Sequence, residues 1–390
     1  MQNSIEKGKK YLMNNYSRLP IQLVEGKGSR VYDSEGRAYL DFLSGIAVNA
    51  LGHCPPELNQ ALCKQAEKLW HCSNIYWIEP QIELAEMIAE NTCADKLFFC
   101  NSGAEANEAA IKLARKWGGE RYEIIALNNS FHGRTLGALA ATGQEKYRKS
   151  FEPLPQGFVY ADFNNLESVQ AKVNEKTCAV MVEVIQGEGG LNLAESTFLE
   201  GVQEICREQD LLLIVDEVQT GIGRTGKPFA YQNFNLEPDI ITLAKALGGG
   251  FPIGAMAAKD EVAKAFEPGD HAATFGGNPL ACAVAGATLK TIFAPDFLKE
   301  VKNKSEFIRS GLLRLQAQGA NIVRLKGLGL MLGCELKNNA PQVAERCLEL
   351  GLLLNVVGGN TLRIVPPLNI TEQELEEGLE IIEKAIKEVS

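Results

Sequence analysis

Two short apolar runs set the terms for this chain. Leu211–Val215 and Ile240–Leu243 are long enough for buried strands and too short for helices. Each ends in a charged residue beside small or flexible ones: Asp216 in LLLIVDEVQTGIGRTG and Lys245 in DIITLAKALGGG. In a parallel α/β sheet, ligands gather at the carboxyl ends of the strands, so an acid and a lysine placed there can face one pocket. Partial burial disfavours the ammonium form of such a lysine and leaves a nucleophilic amine. Taken alone, the pair is more readily a solvated lysine and a strand-end cap, and the surrounding pattern has to decide.

That pattern alternates strands with helices. Leu97–Cys100, Glu123–Leu127, Cys178–Val184 and Gly254–Ala258 read as further strands. Between the first two, NSGAEANEAAIKLARKW places Ala106, Ala110, Leu113, Ala114 and Trp117 on one helical face. Gln81–Ala89 is another amphipathic helix, and a helical pattern runs through Leu62, Ala66 and Leu69. Such alternation predicts an α/β fold with a mostly parallel sheet covered on both faces. Gly28–Phe42 reads as a hairpin around a DSEGR turn. After about residue 275 come helical stretches (Pro279–Phe293, Ser305–Gln318), the strand-like GLGLMLGCEL and TLRIVPPL, and a closing helix. In that helix Thr371 and Glu374 have capping-box spacing, and Leu375, Leu379, Ile382 and Ile386 form the buried stripe. The division expected is a large domain over 51–275 and a small α+β domain assembled from 1–50 and 276–390.

At 390 residues the chain is long for a single core. Its net charge of −10 argues against a broad nucleic-acid surface, and no apolar run approaches the ~20 residues of a membrane span. The N-terminal stretch has no apolar core of signal-peptide type, so a cytoplasmic location is expected, with the ten cysteines as buried, reduced thiols. His53, Cys54, Cys63, His71 and Cys72 lack the close ligand pairs of a zinc site, so no metal is expected.

Four segments can carry chemistry. SGAEANE opens a helix after a strand, where free amides and the helix dipole attract an anion and Gly103 permits close approach; a plain cap by Asn101 or Ser102 fits as well. GIGRTG matches G-x-G-x-x-G, yet Pro228 follows where a helix should open and position 246 is alanine, so the dinucleotide reading lacks its context. SFHGRT offers Phe131 for stacking on a planar ring and Arg134 for a carboxylate, and Arg363 in TLRIVPPL is a second arginine of this kind. VEVIQGEGG places Glu183 and Glu188 on a flexible loop, where an acid can mask an arginine. Pyridoxal phosphate (PLP) is an aldehyde that a reactive lysine condenses with, and an aspartate facing its ring nitrogen makes the ring an electron sink.

These segments, with ATFGGNPLACA, occur in the order seen in the class III (ω-amino acid) PLP aminotransferases, and the resemblance covers essentially the whole chain. It implies a fold-type I architecture: a large domain with a mostly parallel, seven-stranded-type sheet and a small domain built from both termini. It implies a homodimer with active sites at the interface. Lys245 would be the Schiff-base lysine and Asp216 the partner of the ring nitrogen, with Glu217, Val218 and Gln219 beside the cofactor and Gln219 near its phenolic oxygen. Gly103 and Ala104 would cradle the phosphate, joined by Thr274 of the other subunit, and Phe131 would stack on the ring. Arg134 would hold the substrate carboxylate far from the reacting carbon. Arg363 would hold the α-carboxylate of glutamate or 2-oxoglutarate, and Glu188 would cover it while an ω-amine is bound. The family often has serine where Ala273 stands, next to the substrate, and the missing hydroxyl removes a hydrogen bond worth about 0.5–1.5 kcal/mol.

The activity implied is transfer of the ω-amine of N2-acetyl-L-ornithine to 2-oxoglutarate. YDSEGRAYLDFLSGIAVNALGH and SNIYWIEPQ resemble the members with that substrate. Members acting on succinylornithine, ornithine, 4-aminobutyrate or an N-acylated lysine-pathway donor share most of the motifs. From other classes, a nicotinamide oxidoreductase or a PLP-fold protein kept only for binding are the alternatives.

Overall fold

The structure, a computed structural model, describes residues 2–389. At its centre is a seven-stranded sheet in the order Lys96–Cys100, Gly254–Ala258, Ile240–Leu243, Leu212–Asp216, Thr177–Val182, Glu123–Leu127, Phe158–Ala161. The last five pair in parallel. Gly254–Ala258 runs antiparallel to both of its neighbours. The short connection over 244–253 explains the reversal, since a parallel crossover needs a dozen or more residues. Phe158–Ala161, an edge strand with only one fully buried residue, carried no sequence signal.

Alternate residues of the central strands enter different cores, as a period of two requires. Leu212 and Ile214 pack with Ala109, Ala110, Leu113 and Ala114 of the helix Gly103–Gly118. Leu213 and Val215 pack with Phe198, Leu199, Val202 and Ile205 of the helix Ser196–Glu208. Burial on both faces is why these strands are uninterrupted apolar runs.

The two ends of the chain are built together. Ala38–Asp41 pairs antiparallel with Arg30–Asp33 and parallel with Leu352–Leu353. The C-terminal helix Glu372–Val389 starts with the expected capping box: the Glu374 amide donates to Thr371 Oγ1 (3.2 Å), and the Thr371 amide to Glu374 Oε2 (3.0 Å). Its stripe of Leu375, Leu379, Ile382 and Ile386 is buried. It lies so close to the N-terminal segment that a Cβ on Gly378 would sit 2.1 Å from the Phe42 ring. Arg30 grips Glu377 with both Nη atoms, at 3.1 and 2.5 Å. A second sheet, in the order Ile322–Leu328, Met331–Leu336, Thr361–Ile364, Asn355–Val357, completes this region.

Several elements depart from the sequence reading. The helix expected from Ser305 starts at Pro295, because the charged run KEVKNKSEF hid its first turns. The helix Pro279–Ile292 packs against Pro56–Ala66 and Glu79–Ala89 rather than with the elements that follow it. All ten cysteines are free and six are buried, but Cys54 and Cys63 are exposed. Among the described residues no single helix is long and apolar enough to cross a membrane.

Candidate active site

A cavity of about 410 Å³ opens where Leu212–Asp216 and Ile240–Leu243 end and the helix Gly103–Gly118 begins. Asp216, the last residue of its strand, is buried in the cavity wall. Its Oδ2 accepts from Asn107 Nδ2 and lies against His132 Nδ1, both at 2.8 Å, and its Oδ1 accepts from the Val218 amide at 3.0 Å. Asn107 also donates to the His132 carbonyl (2.7 Å), which ties the helix to the SFHGRT loop. Burial opposes charge on His132, but the hydrogen bond and charge of Asp216 outweigh it and hold its pKa above the ordinary value. His132 Nε2 is buried with no partner among the described residues.

Lys245 follows the adjacent strand in a left-handed backbone conformation, φ +44°. For a non-glycine residue this costs about 1–3 kcal/mol, a strain kept where the surroundings over-determine it. Burial lowers its pKa, against the opposing pull of Glu188 and Asp216. The amine is therefore available uncharged more readily than an exposed lysine's.

The far wall suits an anion. Ser102 caps the helix by accepting the Glu105 amide (3.2 Å). The Gly103 and Ala104 amides, in a first turn without intrahelical acceptors, border the cavity. Only glycine fits at 103, where a Cβ would stand 2.7 Å from Val218 Cγ1. Phe131 lines the cavity, and Arg134 reaches its rim. The Arg134 guanidinium lies 4.3 Å from the centroid of Tyr147, whose ring meets Phe131 edge-on at 5.7 Å. Tyr147, on the short helix Glu145–Arg148, had no sequence signal beyond an aromatic following SFHGRT, yet it orients Arg134 by cation–π contact.

Arg363 stands behind Glu188. It is buried on the strand Thr361–Ile364, and its Nη1 pairs with Glu188 Oε1 and approaches Gln219 Oε1 at 3.4 Å. Its Nε donates to Asn355 Oδ1 (3.0 Å), a partner that no motif pointed to. Burial works against the Glu188 charge, but Arg363 outweighs it and holds its pKa below the ordinary range. Glu183 also lines the cavity, accepting the Phe131 amide at 3.0 Å, and burial pushes its pKa up to about 8.

Three expected residues lie elsewhere. Glu217, expected beside the cofactor, turns away: its carboxylate accepts from Thr220 Oγ1 (2.6 Å) and the Tyr231 amide (2.7 Å). Ala273 and Thr274 do not line the cavity of their own chain; Asn74 holds their segment by donating to the Ala273 and Gly276 carbonyls. GIGRTG faces the C-terminal region instead, with Arg224 fully buried and donating to the Leu330 and Pro366 carbonyls.

Comparison with known proteins gives the family. The family described as aminotransferase class-III matches residues 11–386. The acetylornithine aminotransferase of Caldanaerobacter subterraneus subsp. tengcongensis is 56% identical over 387 residues, 98% of each chain. The crystal structure of the N-acetylornithine aminotransferase from Stenotrophomonas maltophilia K279a superposes with a TM-score of 0.86 at 40% identity, covering 98% of both chains. That of the ornithine aminotransferase from Toxoplasma gondii ME49 does so with a TM-score of 0.95 at 33% identity, covering 100% of this chain and 95% of that one.

The buried acids make stability pH-dependent. Burial raises Glu217 to about 7, above its ordinary 4.5. A carboxyl raised in this way contributes its stability fully below pH 4.5 and loses it as pH climbs through about 7, because only the unfolded chain releases the proton early. Glu217→Gln keeps an acceptor for the Tyr231 amide and offers Thr220 a donor. Urea unfolding from about pH 5 to 8 should show wild type losing on the order of 2–3 kcal/mol relative to this variant. Parallel pH profiles for the two proteins would contradict the assignment.

Proposed function

This chain belongs to the class-III aminotransferase family, and we propose that it moves the ω-amine of N2-acetyl-L-ornithine to 2-oxoglutarate, giving N-acetyl-L-glutamate 5-semialdehyde and L-glutamate in arginine biosynthesis. It is a transaminase with the α/β architecture of fold-type I, and PLP is its cofactor. The observation that carries the substrate reading is a pair of arginines, one lining the cavity and one buried directly behind Glu188 of its wall. Arg134 is open at the rim, while Arg363 is covered by Glu188. Such an arrangement suits two substrates that present carboxylates at different distances from the reacting carbon.

The residues present fit PLP: a buried carboxylate, an amine of lowered pKa, an amide-rich helix start and an aromatic ring surround one cavity. When bound, the cofactor supplies an electron sink for the charge left as the substrate carbon loses its proton. Lys245 would hold the cofactor covalently and, once displaced by the substrate amine, carry the proton between the two reacting carbons. Asp216, held in place by Asn107, His132 and the Val218 amide, would stand against the ring nitrogen. Gly103 and Ala104 would bind the phosphate, Phe131 and Val218 would border the ring, and Gln219 would meet its phenolic oxygen. Arg134, oriented by Tyr147, would take the distal carboxylate of acetylornithine. Glu188 would neutralise Arg363 during that half of the cycle and give way to the α-carboxylate of glutamate or 2-oxoglutarate in the other.

We read the working form as a cytoplasmic homodimer. Trp70, Ile75, Tyr76, Trp77 and Phe275 are all well exposed, with Trp77 at 92%. The His71 ring against Phe275 (5.1 Å between centroids) and the Asn74 bonds join the two segments into one surface. An apolar patch of this kind needs a partner, and a second copy fits best because Thr274, an expected phosphate ligand, lies beside the patch and outside its own cavity. The free cysteines suit a reducing compartment.

Two outcomes follow. In a panel of amine donors with 2-oxoglutarate, N2-acetyl-L-ornithine should give the highest kcat/KM, above ornithine and 4-aminobutyrate; a clear preference for either of those would overturn the substrate reading. Trp77→Asp should sediment as a monomer with little activity, whereas a fully active monomer would contradict the shared site.

A further inference from the structure

The Glu188–Arg363 pair lies where two hairpins meet. Glu188 is in the loop between Ile185–Gln186 and Asn192–Leu193, and Arg363 is on Thr361–Ile364, which pairs with Asn355–Val357. The two loops touch backbone to backbone. A Cβ on Gly358 would lie 2.8 Å from Gly190 Cα and 3.2 Å from the Gly189 carbonyl oxygen, and both Gly190 and Gly358 have positive φ, +111° and +57°. No larger residue fits this contact without pushing the Glu188 loop away.

Beside it runs a polar bridge. Lys326, on Ile322–Leu328 of the C-terminal sheet, sits 2.8 Å from Glu335 Oε2 and donates to Asn192 Oδ1 at 3.4 Å. Asn192 Nδ2 donates to Gln186 Oε1 (3.3 Å) and to the Gly189 carbonyl (3.1 Å). Asn192 therefore closes the Glu188 loop on itself, and Lys326 fastens that closed loop to the sheet that carries Arg363. The Lys326 side chain is only 14% exposed, so solvent screens the bridge less than it would a surface pair.

We propose that Lys326 and Asn192 are positioning residues that set how firmly Glu188 covers Arg363, and so set the choice between an ω-amine donor and glutamate. This rests on the reading of Glu188 as the cover of Arg363. Neither residue lines the cavity, so their influence passes through the loop backbone rather than through contact with substrate. A loosened loop lets the glutamate α-carboxylate reach Arg363 at lower cost, whereas the ω-amine donor gains nothing from an uncovered arginine.

The test is a set of single-turnover half-reactions on the holoenzyme, with N2-acetyl-L-ornithine and with L-glutamate. Lys326→Met and Asn192→Ala should each shift the ratio of kcat/KM values about two- to tenfold toward glutamate, the range expected from losing one hydrogen bond. The shift should come from a lower KM for glutamate with kcat little changed, and Lys326→Arg, which keeps a donor, should stay near wild type. Glu188→Ala should shift the ratio in the same direction, and adding Lys326→Met to it should change nothing further. If Glu188→Ala shifts the ratio and the bridge variants do not, the positioning role is wrong and the masking reading stands. If Glu188→Ala leaves the ratio unchanged, the masking reading fails and this proposal with it. A Lys326→Met effect that persists undiminished without Glu188 would also overturn it.

Discussion

The parallel pairing of Leu212–Asp216 with Ile240–Leu243 sets the position of everything else at the site. Asp216 lies opposite Thr242, so both strands end at the same edge of the sheet, about 4.8 Å apart. A carboxylate and an amine far apart in sequence thereby share one cavity. The pairing also fixes faces: a slip of one residue would exchange the apolar sets that pack on Gly103–Gly118 and Ser196–Glu208, and would turn Asp216 out of its place. Because both cores hold the register, the site inherits their stability.

Buried charge in the molecule is handled in two ways. Asp216 and Arg363 are surrounded by partners from several segments, so their burial is compensated. Arg224 has only two carbonyls for company, leaves Nε and Nη2 unpartnered among the described residues, and burial alone pulls its pKa down to about 9. The Glu188–Arg363 pair is also compensated, but it lies between two hairpins joined by a glycine contact and one polar bridge. In the proposed role Glu188 would open for one substrate and stay closed for another, which needs restraint of limited strength, since a pair locked into a core would favour one half of the cycle permanently.

Much of this was legible in the sequence for a physical reason. Strands buried on both faces are apolar runs, so LLLIV and IITL declared themselves, and the helix stripe of Gly103–Gly118 followed from its period. Asp216, Lys245, Arg134 and Glu188 stand at strand ends or in the loops beside them, where a charged residue among small ones is conspicuous, and Gly103 and Ala104 open a helix directly after a strand. Tyr147 and Asn355 were not legible, because nothing local distinguishes a residue whose task is to hold another side chain. The reversal of Gly254–Ala258 depends on the connection before it rather than on its own residues. Glu217, one residue past the strand, turns its carboxylate to Thr220 and the Tyr231 amide, and the motif does not say which side each residue takes.

In the proposed reaction the Lys245 amine, set near Asp216 by strand register, would carry the proton in the chemical step. Lys245→Ala holoenzyme, followed through one half-reaction with N2-acetyl-L-ornithine while small primary amines are added, tests this most directly. The variant should be inert alone, with a rate that returns in proportion to the added amine's free-base concentration and rises with its basicity. A variant that turns over unaided, or one that added amines leave unchanged, would contradict it.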